Sequence, residues 1–87
     1  MKLNIKQQEL INDILKEAKN KYPVIEFVDL STNPDDPEHI WVNVEGDMEE
    51  EQMLEFFDFA AELDINILLD YGYKITLMLE NPDLVYS

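Results

Sequence analysis

The only histidine of the chain, His39, ends a short segment that also holds three carboxylates. Asp35, Asp36 and Glu38 precede it in the order Asp-Asp-Pro-Glu-His. Carboxylate oxygens suit Ca²⁺ and Mg²⁺, and an imidazole nitrogen suits Zn²⁺. One hypothesis is therefore a divalent-metal-binding or metal-dependent enzyme domain that uses these four residues. The favoured interpretation is a solvated loop, because acid-rich loops mostly face water.

A second group of carboxylates lies at the start of a predicted helix and comprises Glu49, Glu50, Glu51 and Glu55. Glu51 and Glu55 are one helical turn apart, so they share a face. These acids could mimic a phosphate backbone or form an acidic docking face. The alternative is that they stabilise the helix through its dipole and keep the surface hydrated.

Trp41 is predicted to lie on a sheet face that no helix covers. Its neighbours Ile40 and Val42 occupy the dry face of the same strand, and side chains alternate along a strand. Asn43 follows Trp41 on the same side, and Met78 is expected beside it from the last strand. Such a face is a candidate surface for binding a partner or for dimerisation. The alternative is that Trp41 only covers its own sheet.

Most of the parts of an active site are missing. The chain has no cysteine and only two glycines, Gly46 and Gly72. A thiolate nucleophile and a glycine-rich phosphate loop are therefore excluded. Ser31 and His39 flank one predicted loop, but no glycine-rich oxyanion site accompanies them. We expect no catalytic residues and no cofactor.

Capping and periodicity signals predict the elements of the first half of the chain. Asn4 with Gln7 forms a capping-box pattern for a helix over 4–21, which Pro23 ends. A strand follows over 24–30, because the segment is β-branched and apolar. Two prolines and several turn formers predict a loop over 31–39. Strict alternation predicts a second, half-buried strand over 39–45.

The second half is predicted to contain a helix and a strand. Asp47 with Glu50 repeats the capping-box pattern, and the expected buried side of the helix carries Met53, Phe56, Phe57, Ala60 and Leu63. Asp64 is expected to break this helix, and a separate helical turn over 65–71 ends at Gly72. A third strand covers 73–80, and residues 82–87 are expected to form a loose tail.

The order α-β-β-α-β predicts one α+β domain over 1–87, with a three-stranded sheet and both helices on one face. The strand over 24–30 is the most apolar, which favours the spatial order 2-1-3. The order 1-2-3, with the third strand parallel to the second, is the alternative.

Charge gives the clearest indication of function. The chain has 87 residues, 46% of them hydrophobic, with 20 acidic residues, six lysines and no arginine, for a net charge of −14. This balance disfavours nucleic acid and anionic membranes as partners, because both need many cations on the protein. Residues 1–22 hold five lysines and three acids, net +2, whereas residues 23–87 hold one lysine and 17 acids, net −16.

These observations favour a small acidic, non-catalytic protein-binding module of inhibitor, antitoxin, immunity or adaptor type. We expect its partner to be a basic protein, because opposite charges accelerate and orient association. The chain itself is expected to be a monomer or a weak homodimer. No targeting segment is visible in the sequence, so we expect a cytoplasmic protein.

Overall fold

The computed structural model describes residues 2–80, and these form two helices and three strands in the order α-β-β-α-β. The elements are α1 (Ile5–Lys21), β1 (Glu26–Asn33), β2 (Asp36–Glu45), α2 (Glu50–Tyr71) and β3 (Ile75–Glu80). The predicted α+β class with a three-stranded sheet is confirmed. The predicted tail over 82–87 lies outside the described residues. Within residues 2–80, neither helix has the length and apolarity needed to cross a membrane.

Helix α1 begins with the predicted capping box. The Gln7 backbone N–H donates to Asn4 Oδ1 at 2.7 Å, and the Asn4 backbone N–H donates to Gln7 Oε1 at 3.0 Å. Two of the amide groups at the start of the helix are thereby satisfied without tertiary contacts. The helix ends at Lys21, with Tyr22 as its C-cap immediately before Pro23.

The sheet has the order β1-β2-β3, so the favoured prediction that the first strand is central was wrong. Strand β2 pairs antiparallel with β1 and parallel with β3, as in the alternative order. Apolar content misled the prediction, because Phe27 and Val28 of β1 are 51% and 40% exposed. In β2, by contrast, Ile40, Val42 and Val44 are all buried, which gives the strand one continuous dry side.

The predicted loop over 31–39 is also wrong, because most of it belongs to a β-hairpin. Strand β1 continues to Asn33 and β2 starts at Asp36, with only two residues between them. The Asp35 backbone N–H donates to Asn33 Oδ1 at 2.9 Å, which stabilises this tight turn. Pro37 is compatible with a strand here, since β3 pairs with β2 only from Ile40 onwards.

Helix α2 is continuous, so the predicted break at Asp64 and the separate turn over 65–71 were wrong. Its interior contains no glycine or proline, and Asp64 uses its carboxylate in a tertiary hydrogen bond instead of bonding the local backbone. The helix starts at Glu50, with Glu49 rather than Asp47 as its N-cap. Its end is as predicted, because Gly72 has φ of 75° and its N–H bonds to the carbonyl of Leu68.

One apolar core lies between the helices and one face of the sheet. Its members are Leu10, Ile11, Ile14, Ala18, Tyr22, Ile25, Ile40, Val42, Val44, Met48, Phe56, Phe59, Ala60, Ile67, Ile75 and Leu77. Phe56 is fully buried, and the ring of Tyr22 packs edge-on against Phe56 and Phe59. Phe57, which was predicted to be buried, is 46% exposed.

The Tyr22 hydroxyl is buried in this core, and no residue within 2–80 forms a hydrogen bond with it. Burial, followed by the charges of Glu55 and Asp58, raises the pKa of Tyr22 above its ordinary value. A buried hydroxyl without a partner is destabilising, since it has lost its bonds to water.

We therefore expect Tyr22→Phe to raise the free energy of unfolding by about 1 kcal/mol, because it removes the unpaired hydroxyl and keeps the ring. Urea denaturation measures the change. Tyr71→Phe is the matched control, since Tyr71 is 48% exposed and its hydroxyl can bond to water. A loss of stability in Tyr22→Phe would contradict the prediction.

Candidate functional site

The face of the sheet opposite the apolar core carries the three residues predicted for it. The register places Trp41 of β2 between Ser31 and Thr76, and Asn43 between Asp29 and Met78. Met78 is exposed and Trp41 is half-buried. The structure thus brings Trp41, Asn43 and Met78 together on one face, and their role in binding stays a prediction.

Asn43 is used within the sheet. It is only 6% exposed, and its Nδ2 donates to Asp29 Oδ1 at 2.8 Å and to Ser31 Oγ at 2.9 Å. Both hydrogens of the amide are engaged by these bonds, which link β2 to β1. Asn43 therefore stabilises the sheet from within. The side chains that a partner could contact on the open face are those of Trp41 and Met78.

The structure also reveals a hydrogen-bonded chain that sequence reasoning missed. Thr76 Oγ1 lies 2.8 Å from Asp64 Oδ2 and 2.6 Å from His39 Nε2, and all three side chains are partly buried. The hydroxyl has one hydrogen, which it donates to the carboxylate, so His39 Nε2 must carry the hydrogen of the other bond. The ring of His39 contacts Trp41 edge-on, with 6.4 Å between centroids.

These two hydrogen bonds link α2 to the edge strand β3 and to β2. In a nucleophile–base–orienter arrangement, the imidazole accepts the hydroxyl proton. Here Thr76 Oγ1 donates its hydrogen bond to Asp64, and His39 Nε2 donates to Thr76, which is the reverse of that arrangement. Sequence reasoning missed this network because it favoured the strand order 2-1-3, whereas only the order 1-2-3 places His39 beside Thr76.

The four residues of the metal hypothesis do not converge. Asp35 lies in the hairpin turn, and alternation along β2 puts Asp36 and Glu38 on the side opposite His39. Asp36 Oδ2 accepts a hydrogen bond from Lys74 Nζ at 2.7 Å. This bond lowers the pKa of Asp36 and raises the pKa of Lys74. No group of three potential metal ligands occurs among the side chains of residues 2–80.

The end of the sheet near the hairpin turn borders an open groove of about 830 Å³. Polar groups of Ser31, Thr32 and Tyr73 line it together with Glu38 and Lys74. Lys74 is paired with Asp36, and the lining also contains Lys2, so charges of both signs border the groove.

The predicted acidic group is fully displayed to solvent. Glu49, Glu50, Glu51 and Glu55 are all exposed, and seven of the 22 residues of α2 are acidic, with no lysine, arginine or histidine among them. The ion pairs found within residues 2–80 join Lys6 to Glu9, Lys19 to Glu26 and Lys74 to Asp36. None of these pairs neutralises a carboxylate of α2.

Helix α2 also has a second apolar face, which sequence reasoning missed because it assigned Phe57 to the core. We call this face the outer stripe of α2. Its members are Leu54, Phe57, Ala61, Ile65 and Leu68, all of them exposed. Exposed apolar residues grouped in this way, unlike those scattered singly, are typical of interaction surfaces.

No family model, curated protein or solved structure matches this chain. The geometry described above gives two candidate sites on the surface of this fold. They are the open sheet face, with Trp41 and Met78, and the exposed side of α2, with its acids and its outer stripe.

Proposed function

We propose that this chain is a small acidic protein-binding module without catalysis, of inhibitor, antitoxin, immunity or adaptor type, which docks a basic surface of another protein. The observation that carries the proposal is the net charge of −16 over residues 23–87. The carboxylates of α2 other than Asp64 support it, because they are exposed and lack ion pairs within residues 2–80. A surface of one sign attracts and orients a partner of the other.

The proposal predicts a salt-dependent complex. With the full chain as bait in an extract of its native cells, we expect a basic protein to be retained at low salt and released as salt rises, since salt screens surface charges. The purified partner should then show a dissociation constant that increases with salt in calorimetric titrations. Recovery of an acidic or neutral partner whose affinity ignores salt would contradict the proposal.

A matched pair of variants locates the charge that matters. Replacing Glu50, Glu51 and Glu55 of α2 by glutamine removes three charges and should weaken the complex several-fold. Replacing Glu9, Asp13 and Glu17 of α1 by their amides removes the same number of charges from exposed positions. Equal effects of the two triple variants would show that only total charge is sensed, and would exclude α2 as the docking face.

The single tryptophan reports on the other candidate surface. Trp41 is half-buried on the open sheet face, so a partner that covers this face should shift its fluorescence emission. A partner bound only to α2 should leave the emission unchanged. The intrinsic fluorescence of Trp41 in the complex therefore shows which of the two surfaces the partner covers, without an added fluorophore.

A further inference from the structure

The outer stripe of α2 is long and regular. Its residues follow one another at intervals of three, four, four and three, which is the spacing of one helical face. At 100° per residue they fall within about 80° of the helix surface and extend over about 21 Å. The exposed fractions of Leu54, Phe57, Ile65 and Leu68 are 59%, 46%, 56% and 45%. This face points away from the core that Phe56 enters.

An acidic row runs directly beside the outer stripe. It comprises Glu51, Glu55, Asp58 and Glu62, at intervals of four, three and four residues, and all four are exposed. Like charges one turn apart on a helix destabilise it. The row is therefore unfavourable for the isolated fold, and cations from outside the chain would relieve it.

We infer that the outer stripe and the acidic row form one docking surface, and that its occupant is an amphipathic helix of a partner protein with lysine or arginine beside its apolar stripe. This inference rests on the proposed function and specifies its site and partner. Helices that pack side by side bury matching apolar stripes, and flanking charges select the partner. An apolar stripe with acids beside it is complementary to an apolar stripe with bases beside it.

Two other occupants lack this complementarity. A second copy of the chain would bring a second α2, with seven acids and no base, against the first. Residues 81–87 of the chain contain one acid and no base. Neither α2 of a second copy nor residues 81–87 could neutralise the acidic row, whereas a basic helix would.

The test uses three synthetic peptides of about 20 residues, long enough to form helix on a surface. The first has leucine at intervals of three and four with lysine at adjoining positions; the second has the same composition in scrambled order; the third has glutamate in place of lysine. Fluorescence anisotropy of labelled peptides with the full chain measures binding at two salt concentrations. We expect the first peptide to bind at least about tenfold more tightly than the second, and the third not to bind.

Variants with matched controls assign the surface. Phe57→Ala should weaken binding of the first peptide about tenfold, as truncating an aromatic anchor does. Phe27→Ala is the control, because Phe27 is 51% exposed but lies on β1. Asp58→Asn with Glu62→Gln should reduce the salt dependence, whereas Glu9→Gln with Asp13→Asn should leave it unchanged. Circular dichroism verifies that each variant is folded.

Three results would overturn the inference. Equal, salt-sensitive binding of the patterned and scrambled peptides would contradict the inferred docking surface but would remain consistent with the proposed function. If neither basic peptide binds, the inferred docking surface is also contradicted. The proposed function is tested separately, by whether a basic protein is retained from the extract. Dissociation of a homodimer by Phe57→Ala in sedimentation would identify a second copy as the occupant.

Discussion

Phe56→Ala is expected to lower the free energy of unfolding by about 4 kcal/mol. The side chain is fully buried and contacts the rings of Tyr22 and Phe57. The substitution loses the favourable free energy of transferring the ring out of water, and it leaves a cavity in the core. Both effects destabilise the folded state. Since domains of this size are stabilised by only about 5–15 kcal/mol, much of the folded population should be lost on mild heating. Thermal and urea denaturation followed by circular dichroism measure the change.

The neighbouring phenylalanine provides the control. Phe57→Ala removes the same atoms one residue later, but from a side chain that is 46% exposed. Its expected effect is about 1 kcal/mol or less, because little apolar surface returns to water. Similar losses in the two variants would show that the assignment of buried and outer faces of α2 is wrong. The contrast also ensures that loss of peptide binding by Phe57→Ala is not a consequence of unfolding.

Asn43→Asp is expected to destabilise the fold by about 3 kcal/mol at pH 7, through the charge of one added carboxylate. The amide nitrogen that it replaces lies 2.8 Å from Asp29 Oδ1, at a position only 6% exposed. Two carboxylates at this distance cannot both be ionised without a large penalty, so one of them would have a raised pKa. Urea denaturation across a range of pH measures the effect.

The pH dependence of this variant has a definite sign. A carboxyl with a folded-state pKa above its unfolded value of about 3.9 binds more protons when folded, so stability rises as pH falls through the raised pKa. The variant should therefore recover most of its stability relative to the original chain near pH 4. Asn43→Ala is the control, because it loses two hydrogen bonds without adding a charge, and its deficit should not shrink in this range.

A compensating change tests the same geometry from the other side. Asp29→Asn in the Asn43→Asp background exchanges donor and acceptor and restores one hydrogen bond between the strands. We expect it to recover most of the lost stability at pH 7. A double variant as unstable as Asn43→Asp alone would show that the two side chains do not interact.

Local physical chemistry determined much of this protein before any tertiary contact was known. The capping box of Asn4 and Gln7 and the left-handed end of α2 at Gly72 were predicted, because each depends on residues within one turn. Alternation correctly placed Ile40 and Val42 on the dry side of β2, opposite Trp41. Element order and fold class follow from such signals, since backbone hydrogen bonds and side-chain periodicity act over a few residues.

The acidic character of the candidate site was likewise evident from the sequence. Net charge and the absence of cations in α2 are properties of composition, and exposure is the usual condition of carboxylates. The apolar half of that surface was not evident. Phe56 and Phe57 are chemically identical neighbours, and the helical pattern alone predicted that both are buried.

Only the tertiary structure decided which of these residues face solvent and which strands meet. Strand order depends on how whole faces fit together, so the apolar strand over 24–30 became an edge while β2 took the centre. That order brought His39, Thr76 and Asp64 into one hydrogen-bonded chain and buried Asn43 against Asp29. The rotation of α2 about its axis, fixed by packing of Phe56 against Tyr22, left Phe57 outside. Each outcome joins residues far apart in the chain, and periodicity within one element contains no information about such contacts.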